Sequence, residues 1–192
     1  KLVAVPETVR AFRARGTRAE LSALAARVHA ARLPLDALVL DTSAEAPVLL
    51  ARAAGLAAAV ARMGAALGAL GRFTDADPSE LARVHERTIR EPTVLRLSLP
   101  PGREVDITSG VARTTVHLGS GIAFAYELAG TDAVRALRRT AESAGGALVV
   151  ERADPRLRSA VGTWGAPRMP GEVARRLKER FDPRGTLAPG RM

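Results

Sequence analysis

The chain of 192 residues contains no cysteine, which excludes disulfide bridges, thiolate metal ligands and cysteine nucleophiles. Its three histidines, His29, His85 and His117, lie far apart in the sequence, and no HExxH spacing occurs. No metal site is therefore expected. Aromatic residues are also few, with four Phe, one Trp and one Tyr. A sheet that binds RNA by stacking bases on several exposed rings is not expected either.

Lysine is scarce as well, because it occurs only at positions 1 and 178, so nearly all of the 29 basic residues are arginine. The formal net charge of +9 would fit a nucleic-acid-binding protein. However, the arginines are dispersed along the chain, and only Arg138-Arg139 and Arg175-Arg176 are adjacent. We interpret the excess as biased amino-acid usage and expect only weak, salt-dependent association with nucleic acid.

No long hydrophobic run is present, and the most apolar segment, 56–70, predicts a helix. The opposite face of this helix consists mainly of Ala and Gly, with Arg62 as its only charge. Arg62 at mid-bilayer would cost about 2.5–3.5 kcal/mol, so we expect no transmembrane segment. We expect the small-residue face to be covered by the other half of the chain or by a second subunit. The apolar stripe has helical spacing and comprises Leu56, Val60, Met63, Leu67 and Leu70.

Strands alternate with helices along the chain, but several strands come in hairpin pairs. The pattern predicts an α+β fold of two ferredoxin-like halves that share one antiparallel sheet, with helices covering one face. Segment 72–92 marks the boundary between the halves and contains a charged surface helix. The predicted strands are 8–12, 35–40, 48–53, 93–99, 112–118, 122–128 and 147–151, and the helices are 17–32, 56–70, 78–90 and 131–144.

The last thirty residues are the most distinctive part of the sequence. A Gly-Thr-Trp-Gly-Ala-Pro segment at 162–167 precedes a helix that we expect to turn Val173, Leu177 and Phe181 inward. The sequence FDPRGTLAPGR follows at 181–191. The pattern FDPxGxLxPGR resembles the C-terminus of FAD-linked oxidases of the vanillyl-alcohol oxidase type. The Trp-Gly segment is similar to that of the FAD-binding E-type subunits of bacterial glycolate oxidase.

This resemblance is specific over 162–192 and loose over the rest of the chain. It implies a cap domain over 1–161, a flavin-proximal tail over 162–192 and an FAD-binding domain upstream. It also implies that Leu187, Pro189 and Gly190 lie near the isoalloxazine ring. Glycine lets a backbone approach a planar ring closely and proline fixes that approach. The chain itself has no GxGxxG or P-loop for the pyrophosphate.

A second stretch, 117–124, resembles the His-x-Gly-Asp-Gly-Asn-x-His hairpin of 2-hydroxy-acid dehydrogenases in the same superfamily. His117 and both glycines are present, but Ser120, Ile122 and Phe124 stand where the family has Asp, Asn and the second His. The loss of these groups argues against ordinary hydroxy-acid chemistry here. His117 is the only catalytic candidate, and the alternative is a structural, hydrogen-bonded histidine.

The sequence offers no other arrangement typical of a catalytic centre. No Ser-His-Asp constellation can be recognised. The carboxylates Asp36, Asp41 and Glu45 lie in turn-like segments. We therefore expect them to be solvated or to cap turns rather than to take part in chemistry.

The resemblance implies an accessory subunit of an FAD-dependent 2-hydroxy-acid (glycolate) oxidase, in the cytoplasm or peripheral to the inner membrane. Its partners would be a catalytic flavoprotein subunit and an iron–sulfur subunit, and the chain alone would be inactive. One alternative is the cap domain of a stand-alone FAD-linked oxidoreductase with another substrate. A second alternative is an arginine-rich ferredoxin-like module that binds RNA, which would need Phe124 and Tyr126 exposed on the sheet.

Overall fold

The computed structural model describes residues 5–43, 46–165 and 171–186, which form eight strands and seven helices. Their bounds, in chain order, are β1 (Thr8–Arg15), α1 (Arg18–Ala30), β2 (Ala37–Asp41), β3 (Val48–Gly55), α2 (Ala57–Leu70), β4 (Thr74–Ala76), α3 (Ser79–Arg90), β5 (Val94–Ser98), α4 (Glu104–Thr108), β6 (Arg113–His117), β7 (Ile122–Tyr126), α5 (Gly130–Ser143), β8 (Ala147–Arg152), α6 (Pro155–Val161) and α7 (Gly171–Phe181).

All eight strands belong to one antiparallel sheet with the order β4-β1-β3-β2-β6-β7-β5-β8. Strands β1 to β4, with α1 and α2, form one βαββαβ unit, and β5 to β8, with α4 and α5, form another. The strand order is the same when it is read inward from either edge. The predicted α+β fold with two ferredoxin-like halves in one antiparallel sheet is therefore confirmed.

Two elements that complete these units are missing from the sequence-based prediction. Strand β4 has three residues and helix α4 has five. Neither is long enough to show a period of two or of 3.6 residues, so hydrophobic patterning cannot reveal them. Without them, neither half has the full βαββαβ order.

Helices α1, α2, α4 and α5 cover one face of the sheet and enclose the main core, which runs through both halves. The inward residues of the strands alternate with outward ones, as a half-buried sheet requires. The central members of this core, all with at most 2% of their surface exposed, are Leu21, Val28, Leu40, Leu49, Val60, Leu67, Leu95, Leu97, Val116, Val134 and Leu148.

Helix α3 lies on the opposite face of the sheet, so the expectation that helices cover only one face is wrong for this element. Val84 and Leu81 of α3 pack on Val39 and Leu50, whose neighbours in the strands face the main core. The charged residues spread along the 12 residues of α3 hide this short apolar contact in the sequence. Helix α3 thus connects the two halves and covers the second face of the first half.

Helix α2 packs on the sheet through Val60, Met63 and Leu67, as its stripe predicts. Leu56 is the exception, since it precedes the helix and remains 70% exposed. The small-residue face, which includes Ala65, is exposed and is not covered by the other half of the chain. That half of the prediction is wrong, and cover by a second subunit stays a prediction. Among the described residues, no helix combines the length and apolar composition that a membrane span needs.

Helix α7 differs from its prediction, because it buries none of its residues. Val173, Leu177 and Phe181 are 43%, 45% and 76% exposed, so they do not point into the core. The helix is stabilised instead by ion pairs of Arg175 and Arg176 with glutamates three or four residues away. Its apolar stripe faces outward within the described structure.

Candidate functional site

Helix α3 covers the second face of the sheet over the first half and over the parts of β6 and β7 that carry Thr115 and Tyr126, and no other described helix covers the rest of the second half. Because side chains alternate along a strand, this surface displays residues of β5, β6 and β7 in two cross-strand rows. One row aligns Ser98, Ile122 and His117, and the next places Arg96 beside Phe124. All five are only partly buried. We call these five residues the open sheet face.

His117 lies at the seam of the sheet, where β6 pairs with β2. Its ring meets the ring of Phe124 edge to face, with 5.9 Å between the centroids. Burial lowers the pKa of His117 below its ordinary value, and His85 of α3 lowers this pKa further. The imidazole is therefore neutral at pH 7 and can accept a proton. Its ring makes no hydrogen bond to any residue that the structure describes, which does not favour the structural alternative.

Arg96 is held at the other side of β7 by two hydrogen bonds. Its Nε lies 2.6 Å from Oε1 of Glu151, and its Nη1 donates to Oγ of Ser98 over 3.0 Å. Within the described residues Nη2 has no partner. Since one strand separates Arg96 from His117, their strands are about 10 Å apart. A base and a cation thus flank an apolar floor made by Ile122 and Phe124.

The hairpin that carries His117 is fixed by a carboxylate that sequence reasoning missed. Glu104 is fully buried and accepts hydrogen bonds from three backbone amides. These are the N–H groups of Gly102 at 2.7 Å, Gly119 at 3.1 Å and Gly121 at 2.9 Å. Three amide donors satisfy a buried carboxylate without a cation. The short helix α4 places Glu104 here, and no pattern in the sequence indicates it.

The two glycines of this hairpin are explained by backbone geometry. Gly119 and Gly121 have φ angles of 78° and 72°. A Cβ on Gly121 would lie 2.2 Å from the carbonyl oxygen of Leu99, which no side chain tolerates. Both glycines are therefore required for the turn itself. Of the three residues that match the family hairpin, His117, Gly119 and Gly121, His117 is the one whose side chain could act on a ligand.

A buried polar network joins α3 to the sheet beside the open sheet face. Asp41 is fully buried, so the expectation that it is solvated is wrong, although it does cap a turn through the amide of Ser43 at 3.0 Å. Its carboxylate also accepts from Arg87 at 2.6 Å, from the Ser43 hydroxyl at 2.6 Å and from Thr115 at 3.2 Å. These bonds fix the end of β2 to α3.

Tyr126 belongs to the same network and is 2% exposed. Its hydroxyl lies 2.7 Å from that of Thr88 and donates to Thr115 over 3.0 Å. Burial raises the pKa of Tyr126, so it remains a neutral donor. The RNA-binding alternative needs Tyr126 exposed beside Phe124. Since Tyr126 is buried, the sheet offers no pair of stacking rings at these positions.

Arg113 closes the network at the start of β6. Its guanidinium lies 2.6 Å from both Glu91 and Glu127 and 6.0 Å above the ring of Tyr126. The hydrogen bond with Glu127 is the main cause that raises the pKa of Arg113, and Glu91 adds to it. The network as a whole fixes the C-terminal end of α3. Its arrangement is structural, and the open sheet face beside it remains accessible.

The described residues do not fit the phosphates of FAD. Pyrophosphate binds where a glycine-rich loop leads into a free helix N-terminus. Here the N-terminus of α1 is capped by Thr17 and Glu20, which form a capping box. The backbone amides at the starts of α3 and α6 donate to the carboxylates of Asp77 and Asp154. These carboxylates would repel a phosphate. The described part also contains no group of three residues able to hold a metal ion.

The predicted flavin contacts Leu187, Pro189 and Gly190 lie outside the described residues. The turn before them is described, and Asp182 accepts from the amide of Thr186 at 2.9 Å and from its hydroxyl at 3.1 Å. Gly185 has a φ angle of 65°, which favours glycine. The Asp and Gly of the FDPRGT sequence are thus explained by a turn that the side chain of Asp182 holds.

The Trp-Gly segment lies along the outer edge of the sheet. The amide of Val150 in β8 donates to the carbonyl of Thr163 over 2.9 Å. A Cβ at Gly165 would lie 2.4 Å from Oε1 of Glu142, so a larger residue there would displace the end of that side chain. Trp164 is 54% exposed. This segment therefore protects the β8 edge and leaves an indole ring at the surface.

The comparisons with known proteins give no independent assignment. No protein-family model matches the chain, and no curated protein matches it. The open sheet face, the glycine-dependent hairpin and the Asp182 turn are thus the structural features that bear on function. The likeness to FAD-linked oxidases rests on the motifs at 117–124 and 162–192.

Proposed function

We propose that the chain is the cap domain of an FAD-linked oxidase of the vanillyl-alcohol oxidase type. In this proposal it serves as an accessory subunit of a 2-hydroxy-acid (glycolate) oxidase complex, cytoplasmic or peripheral to the inner membrane. The observation that carries the proposal is the open sheet face, since it is a broad, partly apolar surface with polar groups at its margins.

The difference between the two halves supports this assignment. In the first half, α3 covers the second face of the sheet through Val84 on Val39 and Leu50. In the second half no helix of the described residues covers the surface around Ile122 and Phe124, which stay partly exposed. A planar ring held by a separate domain would find an apolar floor here, and such a contact would exclude water from a substrate beside it.

The residues of this chain have separate roles in the proposal. FAD, when bound to its own domain, would supply the two-electron oxidation of an alcohol. Nη2 of Arg96 would attract the carboxylate of a hydroxy acid. The neutral ring of His117 would accept a hydrogen bond or a proton at the other side of the floor. The edge-to-face contact with Phe124 fixes the position of the His117 ring at the surface.

The altered hairpin supports an accessory role for this subunit. Ser120, Ile122 and Phe124 provide no second imidazole and no carboxylate near His117. The separation of about 10 Å between the strands of His117 and Arg96 also exceeds the length of a two-carbon acid. We therefore place the oxidation of glycolate to glyoxylate on a sister flavoprotein subunit, with an iron–sulfur subunit as electron acceptor.

The first test concerns FAD binding by the 192-residue chain. We expect it to purify without flavin and to retain none after incubation with FAD and desalting, because the sequence has no glycine-rich phosphate loop and the N-termini of α1, α3 and α6 carry acidic side chains. Visible absorption of the desalted protein measures this. Stoichiometric binding with a micromolar dissociation constant would contradict the assignment of the phosphates to another domain.

The second test uses the full-length protein with its neighbouring subunits. We expect FAD to copurify and glycolate to bleach its absorption under anaerobic conditions. His117→Gln should leave the rate of bleaching close to that of the parent, because the oxidation of glycolate is assigned to the sister subunit. A loss of about 100-fold or more would instead assign proton transfer to His117. The control is His29→Gln on α1. Absence of flavin from the full-length protein would contradict the proposal.

The stand-alone oxidoreductase remains a second candidate because Phe124 makes the floor more apolar than an imidazole would. In that case the full-length protein should oxidise an apolar alcohol without other subunits. Turnover of such alcohols, together with no response to glycolate, would favour this candidate over the first.

A further inference from the structure

A concave surface lies beneath α3, on the half of the sheet away from the open sheet face. It is a cleft of about 230 Å³ between α3 and the ends of β1 and β3. Arg13 and Arg15 are two residues apart on β1, so their side chains lie on the same face of the sheet. Arg83 and Arg87 are four residues apart on one side of α3. We call the space lined by these four residues the arginine cleft.

The four guanidinium groups of the arginine cleft share two carboxylates. Glu80 lies 2.8 Å from Arg13 and 4.0 Å from Arg83, so one anion serves two cations. Asp41, the other lining carboxylate, is paired with Arg87, as described above. Arg15 makes no ion pair with any residue that the structure describes. The described lining therefore has an excess of two positive charges.

The surroundings strengthen the effect of these charges. Val48, Leu50 and Val84 line the cleft beside the arginines. Leu50 and Val84 are 1% and 4% exposed, so this wall is buried and apolar. Charges beside a low-dielectric wall in a concave space produce a stronger field than on an open surface. Arginine also presents a planar set of donors that matches carboxylate and phosphate oxygens.

The volume limits the size of the ligand. A space of about 230 Å³ lies below the range of about 300–1,000 Å³ that is usual for pockets burying drug-sized ligands. It is suited to one phosphate group or a small carboxylic acid with two or three charges. A nucleotide would extend well beyond it.

From charge, shape and donor geometry together, we infer that the arginine cleft binds a small, multiply charged oxyanion. The ligand neutralises Arg15 and the shared cations Arg13 and Arg83. This site is independent of the proposed oxidase function, because it lies on the other half of the sheet and uses no residue of the open sheet face. Two kinds of ligand carry such an oxyanion, a phosphate group and a polycarboxylate.

The experiment measures binding of inorganic phosphate and of citrate to the 192-residue chain by isothermal titration calorimetry. Sodium chloride keeps the ionic strength constant, so that general screening does not contribute. We expect saturable binding at one site and a rise in melting temperature with the same ligand. Binding of phosphate alone assigns a phosphate group, and binding of citrate alone assigns a polycarboxylate. Saturable binding of neither would overturn the inference.

Arg15→Gln is the test variant, since Arg15 has no ion pair to lose and the variant should fold. We expect about tenfold weaker binding, the effect of one charge-assisted hydrogen bond. Arg62→Gln, on the exposed side of α2, makes the same change in net charge on the opposite face of the sheet and should bind as the parent does. Equal weakening by both variants would show that net charge alone attracts the ligand and would overturn the inference.

Discussion

At the scale of single residues, the least predictable feature is the set of buried carboxylates. Glu104 and Asp41 are both fully buried, yet each stands in a segment whose composition suggests an exposed turn. Gly102 and Ser43 are local partners, but the other partners are distant in the sequence. These are the amides of Gly119 and Gly121, the hydroxyl of Thr115 and the guanidinium of Arg87. Burial of a charge depends on such partners, and these become neighbours only when the sheet forms.

We expect Glu104→Gln to lower the free energy of unfolding by about 2 kcal/mol or more. The amide side chain cannot accept hydrogen bonds from all three glycine amides with the strength of a carboxylate. Urea denaturation of parent and variant measures the loss. Glu86→Gln on the exposed side of α3 provides the control and should change stability by less than about 0.5 kcal/mol. Equal stability of parent and Glu104→Gln would contradict the role of the Glu104 carboxylate in holding the three glycine amides.

His117 predicts a pH dependence of stability. Its folded-state pKa lies below the ordinary value of 6.5, so the unfolded chain takes up this proton first as the pH falls. The folded protein should therefore lose stability as the pH drops through about 6.5 and below. The His117→Gln variant should lose less stability over the same pH range. Melting temperatures of both proteins between about pH 8 and pH 5 test this, and parallel curves would contradict it.

At the scale of elements, long periodic segments were predictable and short or two-sided ones were not. The stripe Val60, Met63 and Leu67 places α2 correctly because it spans several turns. Strand β4 and helix α4 are too short to carry a period. The candidate site was predictable only in part. His117 follows from a motif, whereas the buried Glu104 that holds its hairpin depends on tertiary contacts, as does the arginine cleft. Val173 of α7 was mispredicted for a related reason. An apolar stripe shows which side of a helix is apolar, but it does not show whether that side packs on the core or faces solvent.

The exposed small-residue face of α2 predicts an effect on assembly and not on the fold. Ala65→Glu places a charge at an exposed position in a helix, so the melting temperature should stay within about 2 °C of the parent. If a second subunit covers this face, the variant should shift to a smaller assembly, measured by light scattering after size exclusion. Ala136→Glu on the exposed side of α5 is the control. An unchanged assembly would show that α2 is an ordinary surface helix.

At the scale of the whole molecule, the continuous sheet makes the two halves one cooperative unit. Leu40 on β2 and Val116 on β6 pair across the seam, and both are fully buried in the core that the halves share. A structural change at this seam should therefore be felt in both halves. Domain-like independence is not expected, although each half has a complete βαββαβ order.

We expect Leu40→Ala to destabilise the protein by about 2–5 kcal/mol while leaving a single unfolding transition. Urea unfolding should give the same midpoint from the fluorescence of Trp164, which reports on the second half, and from circular dichroism, which reports on all of the chain. Val173→Ala on the exposed stripe of α7 should have little effect. Two separated midpoints would contradict a shared cooperative unit.

The repeated strand order has a consequence for either half by itself. Without its counterpart, β2 would become an unpaired edge strand with free amide and carbonyl groups. Since β6 occupies in the second half the place that β2 occupies in the first, a second copy of the first half presents the same complementary edge. A separated half would therefore pair with itself and rebuild an eight-stranded sheet as a twofold homodimer.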